Sequence, residues 1–457
     1  MVNVTVAAAA IPPCDGTHPA CLRLTSTLWT DGALFGPRHP HAHRFHGDTL
    51  IFYADALSGL HEVHRGPAFA WRPGWQQARR IASERAMECW GHGDWPLVWC
   101  VEDLAGDPVR PGSMELRAGP IADGADTTLP SLGRILPLRT DGRLAWQAAF
   151  SPDGAWFAFS SLDIDLVTET LKVVPTAQLG QTPPVEIVRG ATDWRLSYDG
   201  GRVYFLREAG PQGPTLLVAD FPSGANPADL VSGVEAVTVL GEHGIDRGVA
   251  VATSTQGGPG AVRVLPDPRK PAEWTTVVSH EGDLMALQIS PDARFTAWTD
   301  DNFVVRVAKH SDLSTCVLNH NPRLPAHSPT FLRDAGLVFW GEDSGGDLER
   351  RDGYYADPAD CSTRQRFAQA VYFLAPIDNR GLVFADETDD NSQRATLKYV
   401  PITDGKTWPQ EGPVRVHPDI DGPSVVPASW DPLILLFRVS VGEKENQGLY
   451  LFGPVLL

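Results

Sequence analysis

Long apolar runs and basic clusters are absent from this sequence. No stretch of 18 apolar residues occurs, so no segment has the length of a transmembrane helix. Lysine is scarce, no long run of Lys and Arg exists, and the formal net charge is −18. An acidic chain gains no counterion-release free energy on binding phosphates, which argues against a nucleic-acid partner.

The common signatures of catalytic and metal sites are also missing. The sequence has no Gly-x-Ser-x-Gly elbow for a serine hydrolase and no Cys-x-x-Cys pair for zinc or redox chemistry. Amphipathic helices are scarce too: residues 76–86 are the best candidate and equally suit an outer strand with a loop. We therefore assign no catalytic residues and no cofactor, and favour a non-enzymatic protein.

What the sequence does contain is a recurring unit: an apolar strand, a tight polar turn, and a second, strongly apolar strand. The clearest copies are Phe150–Ser160, Ile289–Trp298 and Leu196–Phe205. In the first copy, Pro152 fixes φ at the first central turn position, and Gly154 accepts the left-handed conformation that closes the hairpin.

The units recur at an almost constant interval of roughly 42 to 59 residues, which suits one propeller blade of four strands. Their second strands are predicted to begin near Thr49, Leu97, Trp156, Val203, Val249, Phe295, Leu337, Leu382 and Leu433. These strands are continuously apolar rather than alternating, so they must be buried on both faces. The sequence predicts an all-β fold, a single β-propeller of eight or nine four-stranded blades, with nine favoured.

The last unit, from about residue 424 to the end, is one strand short. Residues 21–26 would supply the missing strand and close the ring. The domain organisation expected is an N-terminal extension over residues 1–21 and one propeller domain over residues 22–457.

The segment Phe150–Ser160 resembles the repeat of TolB-like propellers, and the wider periodicity is similar to that of WD-repeat propellers. Ile289–Trp298 resembles the same repeat, with Ala293 in place of the turn glycine. The resemblance implies a propeller and an envelope or extracellular setting. It transfers no catalytic site, because the motif residues build turns and blade cores.

Six cysteines bear on the compartment, and three pairings are natural in sequence: Cys14 with Cys21, Cys89 with Cys100, and Cys316 with Cys361. If they form, they indicate an oxidising compartment, extracellular or periplasmic at the cell envelope. The alternative is six unpaired, buried thiols in a reducing cytosol.

Histidine and tryptophan supply the candidate ligand-binding residues. His39, His41 and His43 alternate, so on an innermost strand they would share one face and could hold zinc or copper; the alternative is a solvated polar segment. Tryptophans cluster between residues 71 and 99, and those singled out as sugar-stacking candidates are Trp71, Trp75 and Trp95. The alternative for the tryptophans is packing between blades.

Two acidic stretches, Asp386–Asn391 and Asp419–Gly422, contain oxygen ligands for a structural calcium ion but lack the twelve-residue calcium-loop spacing. Solvated turns are the alternative interpretation. Taken together, these features favour a secreted or cell-envelope scaffold that binds a protein partner. The rival hypothesis is a carbohydrate-binding or carbohydrate-active propeller with its site at the central funnel.

Overall fold

In the computed structural model, the described residues form nine antiparallel sheets of four strands each and no α-helix. The description covers residues 21–25, 43–46, 49–53, 57–58, 64–65, 67–72, 75, 79–83, 85–92, 95–103, 114–122, 126–135, 147–163, 168–208, 213–242, 244–253, 260–280, 284–290, 292–300, 302–319, 326–332, 336–343, 351–371, 373–377, 381–386, 394–402, 407–410, 412–421, 426–430, 433–439 and 448–452. We number the sheets as blades 1–9 along the chain and call the strands of each blade A to D.

Blades 1 to 3 are four-stranded meanders, and blade 1 has one additional hairpin, β4–β5, inserted between its strands B and C. Blade 1 contains β2 (His43–His46), β3 (Thr49–Tyr53), β6 (Ala68–Trp71) and β7 (Arg79–Arg80), and the inserted hairpin contains β4 (Leu57–Ser58) and β5 (His64–Arg65). Blade 2 contains β8 (Ala86–Gly91), β9 (Leu97–Asp103), β10 (Met114–Pro120) and β11 (Ser131–Ile135). Blade 3 contains β12 (Gln147–Phe150), β13 (Trp156–Leu162), β14 (Glu169–Pro175) and β15 (Val185–Arg189).

Blades 4 to 6 are uninterrupted four-stranded meanders. Blade 4 contains β16 (Thr192–Leu196), β17 (Arg202–Arg207), β18 (Thr215–Asp220) and β19 (Ala228–Ser232). Blade 5 contains β20 (Val234–Glu242), β21 (Ile245–Thr253), β22 (Gly260–Leu265) and β23 (Thr275–His280). Blade 6 contains β24 (Leu284–Ile289), β25 (Phe295–Asp300), β26 (Val305–Lys309) and β27 (Thr315–Val317). Short 3-10 helices lie at Thr176–Gln178 and Pro271–Glu273.

Blades 7 to 9 complete the ring, and the last of them takes its D strand from the start of the chain. Blade 7 contains β28 (Ala326–Phe331), β29 (Val338–Asp343), β30 (Arg351–Asp357) and β31 (Asp360–Val371). Blade 8 contains β32 (Phe373–Ile377), β33 (Gly381–Asp386), β34 (Arg394–Pro401) and β35 (Val414–Asp421). Blade 9 contains β36 (Val426–Trp430), β37 (Leu433–Val439), β38 (Gly448–Phe452) and β1 (Cys21–Thr25).

The A strands converge around a central axis. Strand β2 of blade 1 contacts β36 of blade 9, and β24 contacts β28 and β32 contacts β36 in the same way. The ring is therefore closed twice, by contact between the first and last blades and by the pairing of β1 with β38, in which Cys21 lies opposite Phe452. The predicted nine blades and the closing N-terminal strand are confirmed.

The hydrophobic core lies between blades rather than within one layer. Every residue of the B strand β9 is buried, and one apolar cluster joins Trp99 of blade 2 to Phe157 and Phe159 of blade 3. Full burial of a side chain such as Phe157 contributes about 2–3 kcal/mol. The predicted second strands coincide with the B strands of all nine blades. Of the two interpretations of residues 76–86, the outer strand is confirmed in the described part, because residues 79–80 form β7, the D strand of blade 1, and residue 86 begins β8.

Candidate docking face

The A–B and C–D turns of the blades emerge at the same end of the ring. An antiparallel meander dictates this arrangement, and backbone hydrogen bonds show it directly. The amide of Thr176 donates to Ala155 O (2.8 Å) in blade 3, and the amide of His310 donates to Arg294 O (2.9 Å) in blade 6. We call this end the turn face. It comprises the A–B turns at 92, 95–96, 151–155, 197–201, 244, 290 and 292–294, the C–D turns at 176–184, 221–227, 266–274, 310–314 and 358–359, and the strand residues beside them.

A Ser-x-Asp turn builds the turn face in blades 3, 4 and 6. In blade 3, the Ser151 hydroxyl donates to Asp153 Oδ1 (2.5 Å) and accepts from the Trp156 amide (2.9 Å), while Asp153 Oδ1 also accepts from the Ala155 amide (3.0 Å). The same bonds recur in the copies that begin at Ser197 and Ser290. The serine and aspartate thus satisfy the backbone of a tight turn and fix where its other side chains point.

The turns of blades 2 and 3 are joined by contacts of His92 and Trp95. His92 is buried; its Nδ1 accepts from the Trp95 amide (3.2 Å), and its Nε2 donates to Ser151 O (2.9 Å). The indole of Trp95 lies over Gly154, where a Cβ atom would stand 2.7 Å from Cδ1 of the ring. Gly154 has a φ of +68°, so both its conformation and this contact favour glycine.

The contacts continue from blade 3 to blade 5. A Cβ at Gly200 would stand 3.4 Å from Cδ of Pro152, and the Gly244 amide donates to Tyr198 O (3.0 Å). A salt bridge between Arg202 and Asp246 (2.7 Å) joins blades 4 and 5 behind these turns. The A–B turns of blades 2 to 5 therefore form one continuous arc.

The exposed large hydrophobic side chains of the described residues all lie on the turn face. Among large hydrophobic side chains with a described exposure, those left open to solvent are Trp95 (48%), Val185 (62%), Tyr198 (40%), Ile245 (51%) and Leu313 (51%). Trp95 and Tyr198 lie in A–B turns, and Ile245 begins strand β21 directly after one; Leu313 lies in a C–D turn, and Val185 begins strand β15 directly after one. Scattered single apolar residues are normal on a surface, but their restriction to one end makes that end the candidate docking face.

Fixed negative charge accompanies these apolar groups. Partial burial works to raise the pKa of Asp153, but hydrogen bonds from the Ser151 hydroxyl and the Ala155 amide outweigh it, and the net pKa lies below the ordinary aspartate value. Partial burial also works to raise the pKa of Asp199, but hydrogen bonding, chiefly from the Ser197 hydroxyl, brings the net pKa below the ordinary value. Both carboxylates are exposed and stay ionised to low pH.

A cavity of about 290 Å³ lies between blades 1 and 2, away from the arc. Its charged wall is a network in which Arg117 donates to Glu102 (2.9 Å) and Glu115 (2.7 Å), and the Ser83 amide also donates to Glu102 (2.9 Å). Ile81 contributes an apolar side chain to the lining. Arg117, Glu102 and Glu115 bind one another within blade 2, and the Ser83 amide ties the segment between blades 1 and 2 to this network.

The three tryptophans predicted as sugar platforms have different environments. Trp71 is 1% exposed, and its Nε1 donates to Trp75 O (3.0 Å). Trp75 is half-buried and packs against the core between blades 1 and 2. Trp95 alone of the three stands open to solvent on the turn face.

The histidine candidates fall mostly beyond the described residues. His39 and His41 lie outside them, and His43 lies in β2, an innermost A strand, as the metal hypothesis required. No group of three or more His, Cys, Asp or Glu able to hold a metal occurs in the part of the chain that is described. The histidine site stays a prediction.

Of the acidic stretches, Asp386 ends β33 and its carboxylate pairs with Lys398 (2.8 Å), while 387–391 fall outside the described residues. Residues 419–421 belong to strand β35 rather than to a loop. The structural calcium site stays a prediction.

Two of the three predicted disulfides are present. Cys89–Cys100 links neighbouring strands of blade 2, and Cys316–Cys361 links β27 of blade 6 to β31 of blade 7. Cys14 lies outside the described residues, so its pairing with Cys21 stays a prediction. The described residues also contain no helix long and apolar enough to cross a membrane.

Sequence reasoning missed Tyr198, Ile245, Val185 and Leu313. Tyr198 had a readable signal, because it occupies the position after serine where the other copies of the turn have proline. That position points outward in the Ser-x-Asp turn, so an aromatic residue there is exposed.

Comparison with known proteins supports the fold. No family model matches the sequence, and no curated protein sequence matches it either. Among solved structures, a eukaryotic initiation factor is similar with a TM-score of 0.52 and 10% identity, over 80% of this chain and 86% of that one. Dipeptidyl peptidase 4 of Porphyromonas gingivalis is similar with a TM-score of 0.54 and 11% identity, over 88% of this chain and 64% of that one.

At such low identity the similarity shows the fold alone, and this chain spans less than two thirds of the peptidase chain. Fold, ring closure and structural neighbours together define a β-propeller of nine blades.

Proposed function

We propose that this protein is a non-enzymatic scaffold that binds a protein partner through its turn face. The observation that carries the proposal is the restriction of exposed Trp95, Tyr198 and Ile245 to one continuous arc of turns. Aromatic residues held rigidly at the centre of a surface are the usual hot spots of protein interfaces. Here the turn hydrogen bonds and the contacts between blades provide that rigidity.

Site-specific photo-crosslinking tests the proposal. A benzophenone amino acid at Tyr198 is expected to crosslink a discrete polypeptide in native extract. The control places the same group at Glu208, an exposed residue at the opposite end of blade 4, where no such product is expected. The Tyr198 product should disappear in a variant that also carries Trp95→Ser. Equal crosslinking from both ends, or none from Tyr198, would contradict the proposal.

A glycan array addresses the rival carbohydrate hypothesis, for which Trp95 is the exposed candidate platform. Sugar binding that is lost in Trp95→Ala would favour the rival. An array without specific signals, together with the Tyr198 crosslink, would favour the scaffold.

The finer assignments belong to the same proposal: a TolB-like propeller that works outside the cytosol, in the periplasm, at the envelope or outside the cell. Disulfides at Cys89–Cys100 and Cys316–Cys361 support it, because such bonds persist in oxidising compartments. Thiol alkylation of the native protein from its source, followed by peptide mass mapping, tests it. Alkylated Cys316 and Cys361 in freshly prepared material would contradict an oxidising compartment.

A further inference from the structure

We infer that the partner on the arc of blades 2 to 5 is a basic polypeptide segment, in which Lys or Arg side chains alternate with apolar ones. This inference rests on the proposed docking function and adds the chemistry of the partner. It follows from how acidic and aromatic groups are placed along the arc.

The arc alternates apolar and acidic groups. Trp95 lies over Gly154, in the same turn as Pro152 and Asp153. The next turn along the arc, which carries Tyr198 and Asp199, packs against Pro152. A guanidinium or ammonium group set between them would meet a carboxylate on one side and an aromatic face on the other. Ion pairing and cation–π attraction both favour a cation in such a position.

The two carboxylates of the arc form no close ion pair. Asp153 and Asp199 form no salt bridge within the described part of the chain, whereas the equivalent Asp292 of blade 6 pairs with Arg294. Arg202 lies behind the arc and lowers the pKa of Asp199 through its charge, but its guanidinium binds Asp246. Outside the arc, Lys309 binds Asp312. The arc therefore presents net negative charge, in keeping with a chain of net charge −18.

An apolar face could also rest on a lipid surface, but an acidic arc is repelled by the anionic lipids of most membranes. Charge complementarity thus favours a basic polypeptide over a membrane. The lipid occupant becomes an outcome of the test.

The test selects displayed random 12-residue peptides against the full-length protein. Binders that depend on the arc are those lost in the Trp95→Ala, Tyr198→Ala double variant. These are expected to be enriched in Arg and Lys beside apolar residues, and to bind more weakly as salt is raised. Replacing either Asp153 or Asp199 by Asn should weaken a selected peptide about five-fold, and Tyr198→Ala about thirty-fold.

Asp360→Asn is the matched control. Asp360 lies on the turn face in blade 7 and accepts from the Ser362 hydroxyl (2.6 Å) as Asp153 does from Ser151, but it is outside the arc. Asparagine keeps the acceptor Oδ1, so each variant retains its turn. The control is expected to leave peptide affinity unchanged.

Each result has a defined meaning. Arc-dependent peptides that are neutral or acidic, or that bind the Asn variants as tightly as the original, would overturn the inference and leave the docking function standing. Peptide selection that yields no arc-dependent binder would overturn both. Arc-dependent binding to phosphatidylcholine–phosphatidylglycerol vesicles without arc-dependent peptides would replace the basic segment with a lipid surface.

Discussion

The Ser-x-Asp turns offer a matched pair of substitutions with opposite expected effects. Gly154 and Ala293 occupy the same turn position in blades 3 and 6, with φ values of +68° and +57°. A left-handed conformation costs a residue with a Cβ about 1–2 kcal/mol, whereas glycine loses about 0.5–1 kcal/mol more chain entropy on folding. The balance predicts that Gly154→Ala lowers the free energy of unfolding by about 1 kcal/mol and that Ala293→Gly raises it by a similar amount.

Differential scanning calorimetry measures both changes. The unfolding entropy is about 2.1 cal/mol/K per residue, so a chain of 457 residues that unfolds as one unit has a total unfolding entropy of about 1 kcal/mol/K. A change of about 1 kcal/mol in the free energy of unfolding therefore shifts Tm by about 1 °C. The two shifts must have opposite signs. Shifts in the same direction would refute the argument that both residues are held in one strained turn conformation.

Gly154→Ala carries a second effect that Ala293→Gly lacks. The new Cβ would stand 2.7 Å from Cδ1 of Trp95, so the indole must move, and its exposure to solvent lets it do so. We expect the tryptophan emission to shift in Gly154→Ala. A double-mutant cycle with Trp95→Ala separates the clash from the backbone strain, because only the clash disappears when the ring is removed.

Three further predictions concern the ring itself. Replacing Cys316 and Cys361 by Ala opens a 45-residue loop and should lower the free energy of unfolding by about 4 kcal/mol; a Tm unchanged from that of the native protein in calorimetry would contradict this. Arg117→Met should lower it by about 1–3 kcal/mol, because Glu102 keeps its charge without its partner; adding Glu102→Gln should recover part of the loss in a urea titration. Burial lowers the pKa of His310, so the unfolded chain binds a proton first, and stability should fall as the pH drops below about 6.5. His310→Gln should flatten this slope of Tm against pH, and an equal slope in both proteins would exclude the histidine as its source.

The blades were predictable from the sequence because their signals are local. A continuously apolar run such as Trp156–Phe159 has to be buried on both faces, and the Pro-Asp-Gly turn at residues 152–154 marks where this strand starts. The closing strand was predictable by counting, since the last unit lacked one. The pairing of Cys89 with Cys100 followed from their positions in one hairpin.

The docking face was not predictable in this way, because it depends on the order of blades around the ring. Trp95 and Gly154 are far apart in sequence, and only the packing of blade 2 on blade 3 brings the indole over the glycine. The bridge from Cys316 to Cys361 joins strands of two blades, so it was predicted as the pair left after the other cysteines and not from a local hairpin. Sequence reasoning grouped Trp71 and Trp95 as one cluster, whereas strand β6 buries the first and a turn exposes the second.

The carboxylates of Glu169, Glu342 and Asp153 have different environments at the two ends of the ring, and this difference favours the turn face for binding. At the opposite end of the ring, some acidic side chains are buried and bonded within their own blade: Glu169, the first residue of β14, accepts from the Ser160 hydroxyl (2.6 Å), and Glu342 accepts from Trp340 Nε1 (2.9 Å). A buried carboxylate with its oxygens hydrogen-bonded inside the fold offers little to a partner. On the turn face, Asp153 is bound only by its own turn and remains open to solvent. The carboxylates of Glu169 and Glu342 therefore stabilise their own blades, whereas the carboxylate of Asp153 is available to a ligand beside an exposed aromatic ring.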